Sequence, residues 1–173
     1  MQSFLGRSLS GAFLSFGIAL ADLYLKRLVA SSFFIGESVE VIPGFFALTF
    51  ILNPGAAFGL FSNWDSSIRL PLLLAFSVVA LGFIIYLYFG PLGTRRLPAA
   101  GLPLIAGGAL ANFYERLTVG AVVDYLDFYV SSYHWPAFNL ADASITMGVV
   151  LLLLDSFWDR SDASTLAIRD GSE

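Results

Sequence analysis

The chain has 173 residues, is 57% hydrophobic and only 13% charged, and balances nine Lys/Arg against thirteen Asp/Glu for a net charge of −4. A soluble domain carries about 25% charged residues, and a small globule exposes too much surface for so few charges to cover. The hydrophobicity excludes disorder, and the acidic balance with no basic stripe excludes a nucleic-acid partner. Zero Cys and a single His, His134, exclude disulfides, thiolate chemistry and a multi-His metal site. A small integral membrane protein remains.

Crossing the roughly 30 Å of bilayer hydrocarbon takes about 20 helical residues. Four apolar runs are long enough, at about 9–30, 70–89, 97–117 and 138–158. Each is read as a helix, which satisfies its own backbone groups in lipid. The first run, with Arg7 before it and Ala19-Leu20-Ala21 inside it, also resembles a cleavable signal. Against that, the apolar face continues to Ala30 and three further spans follow.

The segment of about 31–69 is more than a linker. Val39-Glu-Val-Ile and the run beginning Phe45-Phe-Ala-Leu-Thr-Phe are rich in β-branched and aromatic residues and are broken by Pro43-Gly44. They predict a small β cradle at the membrane surface, ended by the turn Asn53-Pro54-Gly55. Trp64 and Trp135 fit an interfacial aromatic belt. The fold class is therefore an all-α, four-span membrane protein with a small extracytoplasmic β cradle between helices one and two. Residues 1–160 form a single domain, and 161–173 read as a disordered tail.

Lys/Arg bias orients the spans. Arg7, Arg95, Arg96, Arg160 and Arg169 fall on one side of a four-crossing chain, while Glu37, Glu40, Asp65, Asp124 and Asp127 fall on the other. Both termini are therefore expected to be cytoplasmic.

Ionisable groups inside hydrocarbon cost about 2.5–3.5 kcal/mol each on insertion scales, yet several sit near the outer span ends. Asp22 and Lys26 share a helical face at i, i+4. Asn112, Glu115 and Arg116 close span three, Asn139 and Asp142 open span four, and Asp124 lies between them. Because the spans alternate in direction, all of these converge at the outer surface. Several have simple structural readings. Asp22 and Lys26 can be an ion pair, Glu115 and Arg116 snorkelling residues, and Asn139 a helix cap. Asp127 and His134 read as interfacial, Asp155 and Asp159 as solvated. Asp124 and Asp142 resist such explanations. Two close carboxylates share a proton, so one can act as base on a water while the other polarises a carbonyl. That is amide hydrolysis without metal, Ser or Cys. A proton relay or ion path uses similar residues.

Four segments in order resemble the bacterial lipoprotein signal peptidase (signal peptidase II) family. They are Asp22-Leu-Tyr-Leu-Lys26; Asn53-Pro-Gly55-Ala-Ala-Phe-Gly; Asn112-Phe-Tyr-Glu115-Arg116 with Val122-Val-Asp124; and Asn139-Leu-Ala-Asp142. The resemblance implies an aspartic endopeptidase of the bacterial inner membrane with its site near the outer surface. It further implies cleavage of diacylglyceryl-modified prolipoproteins before the lipidated cysteine. It implies Asp124 and Asp142 as the catalytic pair. It implies that Asp22, Lys26, Asn53, Gly55, Asn112, Glu115, Arg116 and Asn139 bind substrate or support the site. It implies no cofactor or metal, and partners limited to substrate and membrane lipids, with the chain a monomer. The first helix is retained in this family, which counts against cleavage.

Three positions depart from the family pattern. Ala111 stands where Gly is usual, Leu25 where a hydroxyl residue often precedes the Lys, and Glu115 where Asp is usual. Glu115→Asp is therefore expected to be tolerated or mildly improved. Phe58 is expected to bring an aromatic ring near the substrate. Two rival readings are a proton-coupled carrier, which predicts a polar path through spans that are apolar over Leu70–Ile84 and Val149–Leu154, and a scaffold, which leaves the gathered Asp and Asn residues unexplained.

Overall fold

Helix α1 runs over Phe4–Ser32, α2 over Ser66–Phe89, α3 over Arg96–Val119 and α4 over Leu140–Asp170. The computed structural model describes residues 4–56 and 60–170, so Phe58 lies outside the described residues. Each helix contains a stretch long and apolar enough to cross a membrane: Gly6–Ser32, Ser66–Phe89, Arg96–Val119 and Leu140–Trp158. α4 continues past the point near 161 where the sequence suggested a disordered tail. No Gly or Pro interrupts 159–170 to stop it.

α3 is the hub of the bundle, packed against α1, α2 and α4. Small residues permit this. A Cβ on Gly108 would fall 2.3 Å from the carbonyl oxygen of Ala141, and one on Gly107 would fall 2.6 Å from that of Ser15. Backbone therefore meets backbone, the usual packing solution where lipid removes the hydrophobic drive between helices. At the end of the bundle nearer the termini, Tyr88 Oη donates to the Arg7 carbonyl at 2.7 Å. Arg95 Nε pairs with Asp155 Oδ2 at 2.9 Å. Asp155 is buried, at 8% exposure, which corrects the sequence reading of a solvated carboxylate. The short α2–α3 link brings Arg95 directly onto it. The Asp159 side chain lies outside the described residues.

The opposite end carries a four-stranded sheet, with strands β1 (Ser38–Ile42), β2 (Phe46–Asn53), β3 (Val122–Val130) and β4 (Tyr133–His134) in that spatial order. β1 and β2 form the expected hairpin, turned by Gly44 at φ 75°. The cradle is larger than the sequence indicated, because β3, from the α3–α4 connection, adds antiparallel to β2 with Ile51 opposite Asp124. Val29 of α1 packs under the sheet with Phe50, Val123 and Tyr125. This patch fixes the sheet to the bundle. Outward-facing Val39, Val41, Ile42, Trp64 and Trp135 remain exposed, as suits a bilayer interface.

Candidate active site

α1, α3, α4 and the sheet meet around the N-terminus of α4. The first N–H groups of a helix have no partner within it. Here three are met by side chains from β3, from α1 and from the residue just before α4. Leu140 N–H donates to Tyr125 Oη at 3.1 Å, Ala141 N–H to Asp22 Oδ1 at 3.0 Å, and Asp142 N–H to Asn139 Oδ1 at 2.9 Å. Asn139 is thus the helix cap that the sequence allowed. Asp142, in the first helical turn, has its position fixed to within that network.

Asn139 also has a second role. Its Nδ2 donates to Asp124 Oδ1 at 2.7 Å, and Asn53 Nδ2 donates to Asp124 Oδ2 at 3.0 Å. Both Asp124 oxygens are held, and the residue is only 3% exposed. Burial and the charge of Asp142 lift the Asp124 carboxyl to about 7, against the opposing effect of the two amide bonds. Asp142 is half-buried and accepts from Asn112 Nδ2 at 2.8 Å. Asn112 Oδ1 in turn accepts from Lys26 Nζ at 2.7 Å.

Lys26 is the centre of the supporting layer. Its Nζ lies 2.8 Å from Asp22 Oδ2 and 2.9 Å from Glu115 Oε2. All three residues are buried, so each charge depends on the others. Glu115 Oε2 also accepts the Val123 N–H at 3.1 Å, joining α3 to the start of β3. The ion-pair reading of Asp22 and Lys26 is correct. The snorkelling reading of Glu115 is not, because its carboxylate points into the protein toward Lys26 rather than out to water.

Gly55 is buried against the following loop, where a Cβ would fall 2.3 Å from the Leu60 carbonyl oxygen. Its N–H donates to Asn53 Oδ1 at 3.0 Å, and its carbonyl accepts from Arg116 Nη2 at 3.0 Å. Arg116 Nε is buried with no acceptor among the described residues. Arg116 stands within electrostatic reach of Asp142, Asp124 and Glu115. A cleft of about 260 Å³ opens beside Asp124, lined by Ile51, Leu52, Asn53, Pro54, Ser62 and Pro136 among others.

Asp22, Lys26, Asn53, Gly55, Asn112, Glu115, Arg116, Asp124, Asn139 and Asp142 lie together in this cluster. Tyr125 was missed, and its only signal was its position next to Asp124. His134 is exposed and contacts Asp127 at 2.9 Å, apart from the cluster.

Four membrane-length helices with two interacting carboxylates held at one end have the layout of an integral membrane hydrolase. Comparison with known proteins narrows this. The pattern of the Signal peptidase (SPase) II family matches residues 14–158. The lipoprotein signal peptidase of Desulforapulum autotrophicum is 44% identical over 79% of this chain and 84% of its own. That of Francisella tularensis subsp. novicida is 42% identical over 83% and 88%. That of a Sulfurihydrogenibium species is 39% identical over 85% and 91%. Two solved bacterial membrane enzymes superpose with TM-scores of 0.80 and 0.74, each at 29% identity, covering 88% and 84% of this chain and 90% and 91% of theirs. The chain belongs to the signal peptidase II family and is a multi-pass membrane protease.

Proposed function

We propose that this protein removes the signal peptide from diacylglyceryl-modified prolipoproteins by cleaving before the lipidated cysteine, with Asp124 and Asp142 as the catalytic pair. The observation that carries the reading is the two-ended Asn139 amide, which holds Asp124 with its nitrogen and the Asp142 backbone with its oxygen.

In the resting enzyme Asp124 carries the shared proton. It is the more deeply buried carboxyl, and water is the poorer competitor there. Asp142 is ionised and supported by Asn112, itself bonded to Lys26, and by the helix N-terminus. Asp142 takes a proton from water as its oxygen attacks the carbonyl carbon before the cysteine. Asp124 donates its proton toward the carbonyl oxygen. As the tetrahedral intermediate collapses, Asp142 passes its proton to the cysteine nitrogen, Asp124 takes a proton back from a hydroxyl of the intermediate, the C–N bond breaks to give a carboxylic acid and a free amine, and the dyad is restored. Arg116 keeps its positive charge within electrostatic reach of both carboxylates and of Glu115.

The substrate's acyl chains resist entering water by about 0.8 kcal/mol per CH₂, so the reaction belongs at a membrane surface. The Lys/Arg distribution supports both termini in the cytoplasm and the sheet on the outer face of a bacterial inner membrane. The enzyme works as a monomer, as one domain over residues 1–160 with a cytoplasmic tail beyond. Purified protein in proteoliposomes, given a diacylglyceryl-modified prolipoprotein, is expected to cleave before the lipidated cysteine and to show no solute uptake. Uptake without cleavage would establish a carrier instead.

A further inference from the structure

Leu52 carries backbone groups that the fold leaves unused. It sits opposite Val123 in the β2–β3 ladder. Val123 uses both its groups elsewhere: its N–H donates to Glu115 Oε2 at 3.1 Å, and its carbonyl accepts from Asn139 Nδ2 at 3.2 Å. Opposed residues in an antiparallel ladder alternate between exchanging two bonds and exchanging none. Leu52 and Val123 are a pair of the second kind, so Leu52 turns its N–H and C=O to the other edge of β2. There β1 stops short. Its pairing ends with Ser38 opposite Thr49, and Phe50 is met by Gly36 at 2.7 Å and Glu37 at 3.0 Å. Among the described residues no backbone bond from outside the strand ladder reaches Leu52, and the alternation leaves it none within the ladder.

Leu52 is half-buried as a residue, and backbone N–H and C=O groups away from water are rarely left without partners. These two border the site. Ile51 on one side of Leu52 faces Asp124 across the ladder, Asn53 on the other holds Asp124 Oδ2, and Leu52 itself lines the cleft. A signal peptide that unwinds at its cleavage point exposes N–H and C=O groups to a medium that offers them few partners. Strand addition to an open edge satisfies them whatever the side chains are.

We propose that the peptide next to the cleavage point adds to this edge as a short extended strand, one of its residues exchanging both backbone hydrogen bonds with Leu52. The proposal rests on the signal-peptidase reading. It makes Leu52 a positioning residue that acts through its backbone, and it places the scissile carbonyl by register along β2.

The test is an ester scan of the substrate. In a synthetic prolipoprotein peptide with a diacylglyceryl-modified cysteine, each backbone N–H around the scissile bond, that bond excepted, is replaced in turn by an ester oxygen. Wild-type enzyme is expected to lose about tenfold in kcat/KM at one position and less than about twofold at each neighbour, the size of one hydrogen bond. Leu52→Pro removes the enzyme's donor at a strand edge, where Pro is admitted. It is expected to lower kcat/KM on the all-amide peptide about tenfold without moving the pH profile. Should the variant not fold, the ester scan stands alone. Uniform tolerance of the esters by an enzyme that cleaves the parent overturns the edge proposal only. Failure to cleave the parent overturns the signal-peptidase reading with it.

Discussion

Asn139 donates to Asp124 Oδ1 at 2.7 Å, while its own Oδ1 accepts the N–H that begins the Asp142 residue. One amide thus sets the relative position of two carboxylates carried on a strand and a helix. The two roles are separable. Asn139→Ala is expected to lose a helix cap, about 1 kcal/mol, and most of the activity. Asn139→Ser retains a capping oxygen but is too short to hold Asp124, so it should recover the thermal stability and not the turnover. Parallel melting curves and cleavage rates in detergent check this. Full activity in the Ser variant would remove the orienting role.

Lys26 is ringed by Asp22, Glu115 and Asn112 in a buried layer. Lys26→Met leaves two buried carboxylates without their cation, a change costing about 3–5 kcal/mol. Replacing all three charges together, as Asp22→Asn, Lys26→Met and Glu115→Gln, is expected to restore much of that stability. Denaturation of the single and triple variants distinguishes a mutually dependent cluster from independent contacts, for which the triple variant would be the worst.

Glu115→Asp is a finer test of the same layer. The sequence pattern alone expects it to be tolerated or improved. The structure removes the reason for improvement, since Oε2 reaches both Lys26 and the Val123 N–H. One methylene less gives up one of these bonds, about 1 kcal/mol. The expected result is a lower melting temperature with cleavage within about tenfold of wild type. Loss of membrane insertion would show that the α3–β3 joint depends on the longer side chain.

Asp124 titrates near 7 in the folded protein against an ordinary 3.8. Between those values the native state holds a proton that the unfolded chain releases, so this group's contribution to stability falls as pH rises through that window and levels off above it. Asp124→Asn is therefore expected to gain stability over wild type progressively from about pH 4 to about pH 7. If protonated Asp124 polarises the carbonyl, kcat/KM also declines on the alkaline side of about 7. Melting against pH checks the first effect and a pH–rate profile the second. A stability difference that does not change with pH would contradict the assignment.

Gly108 meets the Ala141 backbone one residue before Asp142, whereas Gly17 has open space around its would-be Cβ. Gly108→Ala is expected to push α4 outward, cost about 1–3 kcal/mol and reduce turnover by displacing Asp142. Gly17→Ala is the matched control, expected to be neutral or slightly stabilising. Equal effects would show that helix approach at Gly108 does not set the site.

Much of this arrangement was legible from residue order. Alternating span direction brings Asp22, Asn112, Asp124 and Asp142 to one end of the bundle, and the length of the apolar runs locates all four helices. Pairings across long sequence separations were not legible. Asp22 and Lys26 announced themselves at i, i+4, but nothing local shows that Asp22 also caps a helix 119 residues away. The run Val122–Val130 has strand-forming residues, yet its register against β2 is set by packing on Val29 and Phe50. Arg95 and Asp155 likewise pair only because α3 and α4 pack backbone to backbone.

The most direct measurement is cleavage of a diacylglyceryl-modified prolipoprotein by purified wild type, Asp124→Asn and Asp142→Asn side by side, with insertion and folding of each verified. Wild type is expected to cut before the lipidated cysteine, and both variants to remain folded with no detectable turnover. Full turnover by either folded variant would contradict the carboxylate pair as the catalytic centre.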